Sequence, residues 1–162
     1  MPEQTGLFEC NRQHIRDEWI DYNCHFNMGY YGVLFDICSD DAFAAMGLGP
    51  KYLSSGFSFY TLEAHITYLR EMHAGNPVRV MFRVMDFDAK RIHYFQEMYH
   101  AEEGWLAATL EGICMHIDMS VTKSAPFPED ILSRIDAMYH QHKALPVPPQ
   151  VGHQIGIVRK SG

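Results

Sequence analysis

A chain of 162 residues has the length of one domain, with enough interior to fold without staples. Its 47% apolar and 20% charged residues exclude a disordered chain, and no apolar run reaches the roughly 18 residues a membrane helix needs. A net charge of −7 without clustered Lys and Arg excludes nucleic acid as the main partner, because neutralising phosphates takes basic clusters.

The first residues, MPEQTGLFEC, lack the basic start and apolar core of a signal peptide, which points to a cytoplasmic chain. Cys10, Cys24, Cys38 and Cys114 show no CxxC or zinc-ligand spacing, so reduced thiols are expected. The ten histidines are scattered without a ligand pattern, and neither a metal nor a redox cofactor is expected.

Leu7 to Ile15 alternates as a first strand and Arg16 to Phe26 follows as a loop. Asn27 reads as an N-cap. From Met28 onward Tyr31, Leu34, Phe35, Cys38, Ala42, Ala45 and Met46 recur at helical intervals, predicting an amphipathic helix of about five turns with Gly47 as its C′ residue. Gly47 to Gly56 reads as a loop.

Four strands follow, over Phe57 to Glu71, Asn76 to Phe87, Arg91 to Ala101 and Trp105 to Met119. The short link at Asp88-Ala89-Lys90, like the one at Glu102-Glu103-Gly104, requires antiparallel neighbours, since a parallel crossover takes a dozen residues or more. Pro128 to His142 predicts a second helix, and the proline-rich tail from Leu145 should run extended over the surface. The expected fold is a single α+β domain over residues 1–162, with its core at about 7–120 and the terminal helix and tail at about 128–162. An antiparallel sheet of about five strands should wrap around the long helix, the one surface able to bury it.

The stretch Trp19-Ile20-Asp21-Tyr22-Asn23-Cys24-His25-Phe26-Asn27, the helix behind it and the strand Tyr60-Thr61-Leu62-Glu63-Ala64-His65-Ile66-Thr67-Tyr68 together resemble the hot-dog-fold acyl-CoA thioesterases. They resemble the 4-hydroxybenzoyl-CoA thioesterase branch in particular. With YTLEAHITYLRE and DAKRIHYF added, the resemblance narrows to betainyl-CoA thioesterases of carnitine breakdown. Cys24 stands where that family has glycine and Met28 where many members have a second asparagine. If Cys24 adopts positive φ, it does so at a steric cost of order 1 kcal/mol that glycine would avoid.

The resemblance implies hydrolysis of an acyl-CoA to a carboxylic acid and free CoA. It also implies a homodimer or dimer of dimers, with the site between subunits and the sheets joined edge to edge. Asp21 is the expected nucleophile or base, either attacking the carbonyl directly or activating water. The backbone N–H groups of Met28 and Gly29 are the expected oxyanion donors, one such donor being worth ~100-fold to ~1000-fold in rate. His25 and Asn27 are expected to hold the loop. Cys24 beside His25 is a weaker nucleophile candidate, since adjacent loop side chains rarely point together.

Glu63 is read either as an edge charge or as a pocket carboxylate balancing a cationic acyl group. Trp19, Tyr31, Tyr60, Tyr68 and Trp105 are candidates for holding a trimethylammonium, with Tyr60 and Tyr68 placed together on the helix-facing side of their strand. Lys90 and Arg91 form a basic turn, solvated or, by resemblance, meeting the CoA phosphates. Two rivals remain: an enoyl-thioester hydratase, and a non-catalytic acyl-CoA-binding protein. No membrane partner is expected.

Overall fold

A computed structural model describes residues 6–161. In chain order the elements are β1 (Phe8–Glu9), β2 (Gln13–His14), α1 (Met28–Ala45), β3 (Phe57–Tyr68), β4 (Pro77–Phe87), β5 (Arg91–His100), β6 (Leu106–Asp118), β7 (Lys123–Ser124) and α2 (Glu129–His142). All pairings are antiparallel, in the order β1-β4-β5-β6-β3, with β2 also on β4 and β7 on β6.

The helix and sheet form for the reasons the pattern suggests. Asn27 caps α1, its side chain accepting from the Gly29 N–H, and Gly47 ends it in the left-handed region at φ +85°. Glycine is required there twice, since a Cβ would also stand 2.7 Å from Ile131 Cδ1, where α2 docks. Tyr31, Leu34, Phe35, Cys38 and Ala42 face the sheet and are buried. Fully burying a side chain such as Leu34 or Phe35 contributes about 1.5 to 3 kcal/mol.

Six details depart from the sequence reading. The buried stripe of α1 takes in Phe43, tilted against Phe59 and edge-on to Phe82, while Ala45 is exposed. Asn11 breaks the first strand into two short pieces by turning its backbone and side chain onto Asp41 of α1, at 2.7 and 2.9 Å. The strand expected to reach Glu71 stops at Tyr68, because Leu69 and Arg70 both donate to the Ala107 carbonyl and peel off the ladder. Pro50–Ser55, expected as loop, is a 3-10 helix, and β7 was not foreseen.

The sixth departure bears on the site. A bulge between Thr61 and Glu63 inserts Leu62 into β3, so side-chain parity flips halfway along the strand. Phe59 points inward to Phe43 before the bulge and Tyr68 inward to Tyr31 after it. Tyr60 therefore does not share the helix-facing side with Tyr68.

The sheet face remote from α1 is covered in part by the C-terminal tail. The Arg83 guanidinium donates to the carbonyls of Pro146, His142 and Leu145, and Gly152 N–H donates to Glu111 at 2.7 Å. β3 has no strand on its outer edge among the described residues, and Tyr60, Leu62 and Tyr68 are exposed along it. No described helix is long and apolar enough to cross a membrane.

Candidate active site

Trp19 to Asn27 folds as a closed turn. Ile20 bridges Phe26, Asp21 N–H donates to the His25 carbonyl at 2.9 Å and Cys24 N–H donates to the Asp21 carbonyl at 3.0 Å. This three-residue loop needs a left-handed residue at its last position. Cys24 fills it at φ 62°, the strain that glycine would avoid. Outside the turn, Asn27 N–H donates to the Trp19 carbonyl and Phe26 N–H to the Met72 carbonyl, both at 2.9 Å.

The turn sets the state of Asp21. One oxygen, Oδ1, accepts from the backbone N–H groups of Asn23 (2.9 Å) and His25 (3.3 Å). Oδ2 has no hydrogen-bond partner among the described residues, so half the carboxylate orients the group and half is available for chemistry.

The helix start behind the turn narrows the expected oxyanion pair. The Gly29 N–H is taken by Asn27 Oδ1 at 2.9 Å, which corrects its reading as a free donor. Met28 N–H, the first of the helix, has no such acceptor among the described residues, and the N-terminal dipole favours negative charge beside it. Tyr68 lies over the same end, its hydroxyl donating to the Met28 carbonyl at 2.9 Å.

The aromatic candidates separate. Tyr31 is buried, its ring tilted against Phe26 and edge-on to Tyr68; burial pushes its hydroxyl up to about 12. Trp19 is 5% exposed and its ring is covered by Tyr30 and by the Arg16 guanidinium at 4.7 Å, so it is core and its cation face is taken. Trp105 likewise carries Arg70 at 4.1 Å. Tyr60 is exposed on the outer side of the bulge.

Glu63 and Arg91 do not join the turn. They line a cleft of about 560 Å³ on the sheet face remote from α1, with His65, Asp88, His93 and Glu111. His93 Nε2 lies 2.9 Å from Glu111, and the His65 ring meets His153 of the tail. Asp88 takes the backbone N–H groups of Lys90 and Arg91 on one oxygen and the Arg91 guanidinium on the other. The Arg91 contact, foremost, holds the Asp88 carboxyl below the usual range, and it leaves Lys90 as the unpaired cation of the turn among the described residues.

Two features escaped the sequence reading. A recess of about 210 Å³ near the far end of α1 is lined by Asp40, Tyr52, Ser58 and Phe59. Burial, then Asp36 and Asp41, raise the Asp40 carboxyl. The loop between β3 and β4 also brings Glu71 and His73 to His25, with His25 Nε2 at 3.3 Å from Glu71. The Glu-x-His spacing, which puts two side chains on one side of an extended chain, was the available signal.

Comparison with known proteins gives a consistent answer. Residues 15–135 match the model of the thioesterase-like superfamily. The chain is 36% identical over 144 residues to a betainyl-CoA thioesterase of Pseudomonas aeruginosa, covering 88% of this chain and 91% of that protein. It is 32% identical over 142 residues to an L-carnitine dehydrogenase/betainyl-CoA thioesterase of Rhizobium meliloti, of which it spans 29%. Among solved structures, a Staphylococcus aureus protein in complex with CoA superposes at TM-score 0.87 and 32% identity, covering 94% of this chain and 96% of that one. A 1,4-dihydroxy-2-naphthoyl-CoA thioesterase of Synechocystis shares the fold at TM-score 0.72 and 19% identity, over 81% of this chain and 96% of that one. With the hot-dog architecture and a family match running from the end of β2 into α2, the chain belongs to the thioesterase-like superfamily and is a thioester hydrolase.

Proposed function

We propose that the substrate is betainyl-CoA, hydrolysed to betaine and free CoA with Asp21 as the attacking group. The observation that carries the reading is Asp21 itself, a carboxylate with one oxygen tied into its turn and the other free, just ahead of the open N-terminus of α1. Oδ2 attacks the thioester carbonyl carbon, and the carbonyl oxygen gathers negative charge opposite the Met28 N–H. The C–S bond breaks and CoA leaves as the thiolate. Water then splits the mixed anhydride, returning the Asp21 carboxylate and releasing the acid and a proton. His25 and Asn27 shape the turn, and Lys90 meets the CoA phosphates.

The acyl group is argued from chemistry and from the relatives. A quaternary ammonium is held by aromatic faces and nearby negative charge, and the Asp40, Tyr52 and Phe59 recess offers both. In one chain that recess lies toward the opposite end of α1 from Asp21. A homodimer made by antiparallel pairing of two β3 edges about their middle would set Phe59 of one copy opposite Ile66 of the other, two residues from Tyr68, and so bring the recess toward the turn. In such a dimer the site would lie between subunits.

Thiol release from betainyl-, short, long and aromatic acyl-CoA tests the reading. Betainyl-CoA should have the highest kcat/KM, and Asp21→Asn should retain less than a few per cent of turnover with an unchanged fold. Activity confined to long acyl chains would overturn the substrate, and an active Asp21→Asn variant would overturn the mechanism. Single turnover in ¹⁸O water should leave label in Asp21, whereas water activation would label only the product. Sedimentation should give twice the chain mass.

A further inference from the structure

We propose that His25, Glu71 and His73 bind a divalent transition-metal ion, with zinc the best match. One ligand atom from each residue lies within 4.8 Å of the other two. Around a tetrahedral zinc with bonds of about 2.0 to 2.2 Å, neighbouring ligand atoms stand about 3.4 Å apart. His25 Nε2 and Glu71 Oε2, at 3.3 Å, already have that spacing. A small movement of exposed side chains brings in His73.

The backbone beneath the three side chains is joined in a way that favours the convergence. His25 closes the Asp21 turn, and Glu71 and His73 flank Met72 on the loop that follows β3. Met72 is buried and its carbonyl accepts from the Phe26 N–H, so its two neighbours are held beside the turn. His73 Nδ1 faces the Cys24 carbonyl at 3.2 Å, which requires that nitrogen to carry the proton and leaves the Nε2 lone pair for a ligand. Metal-ligating histidines are oriented by this kind of contact to a backbone carbonyl.

Two imidazoles and one carboxylate select zinc, nickel or cobalt over magnesium or calcium, and three protein ligands leave a position for water. The ion would tie the turn that carries Asp21 to the strand-crossing loop. It has no part in the hydrolysis described above.

The test uses the full chain stripped with a chelator and titrated with zinc chloride, by calorimetry and by competition with a chromophoric chelator. Wild type should take up one equivalent and melt at a higher temperature with zinc than without. His73→Ala should lose that binding event and Glu71→Gln should weaken it at least about tenfold, while both zinc-free variants melt near the zinc-free wild type. Equal zinc affinity in wild type and His73→Ala would place the ion elsewhere and overturn the proposal. Absence of binding in wild type at about 100 µM zinc, far above the affinity expected of such a site, would do the same.

Discussion

Cys24→Gly should stabilise the protein. The residue sits at φ 62°, where an L side chain is held against the following carbonyl at about 1 to 2 kcal/mol. Glycine removes that strain but adds about 0.5 to 1 kcal/mol of unfolded-chain entropy. The net gain should be about 1 kcal/mol, because nothing else is lost: the thiol is exposed and unpaired by disulfide, and the turn uses only the Cys24 backbone N–H and carbonyl. For a chain of this length that corresponds to a melting temperature higher by about 2 to 4 °C. Cys24→Ala is the control, since it removes the sulfur and keeps the φ, and its stability should stay within about 0.5 kcal/mol of wild type. Urea melts followed by circular dichroism measure all three proteins. A glycine variant no more stable than the alanine control would refute the assignment of strain to this position.

Asn27→Ala should cost about 1 kcal/mol in a urea melt by removing the cap on Gly29 N–H, and a change under 0.3 kcal/mol would show the cap to be idle. Burial, and then the Arg83 guanidinium, push His142 down to about 4, and its Nδ1 accepts from the Val84 N–H at 3.0 Å. The neutral form belongs to the fold, so its contribution is complete above the unfolded value near 6.5 and is lost as pH falls toward 4, a difference of about 3 kcal/mol. His142→Asn, which keeps an acceptor for Val84, should flatten the fall in stability between pH 7 and 4, and an unchanged slope would move the effect to another group. Lys90→Ala should raise KM for acyl-CoA more than Arg91→Ala, because Arg91 is already engaged by Asp88; the opposite ranking would count against the phosphate role of Lys90.

Much of the fold was legible because it depends on local pattern. The cap at Asn27, the stop at Gly47 and the four long strands all follow from side-chain type and spacing within a few residues. The sequence put Asp21 beside a helix start, where the structure has it. What escaped depends on which of several available partners a group takes, some of them distant in the chain. The bulge at Leu62 reflects the register with Cys114 and Ile113, and nothing in YTLEAHITY marks where parity must flip. Because of it, Tyr60 and Tyr68 part company. Gly29 is a local case: an N-cap side chain and an oxyanion compete for one amide, and Asn27 Oδ1 holds it. Arg16, three residues earlier in the same loop, covers a face of Trp19, and Arg70, from the segment after β3, covers a face of Trp105, which composition alone does not reveal.

The Asp21 turn is held by four backbone hydrogen bonds, two across its own ends, one back to Trp19 and one to Met72. A loop so closed has few other low-energy shapes, and the carboxylate meets the thioester with little rearrangement to make during the reaction. The same rigidity limits its motion. If product must leave by a local opening, the walls opposite the turn have to supply it, and the Phe26 and Asn27 amides should rank among the slow exchangers in deuterated solvent. The attacking group would then keep its place from one turnover to the next, while the substrate's surroundings breathe around it.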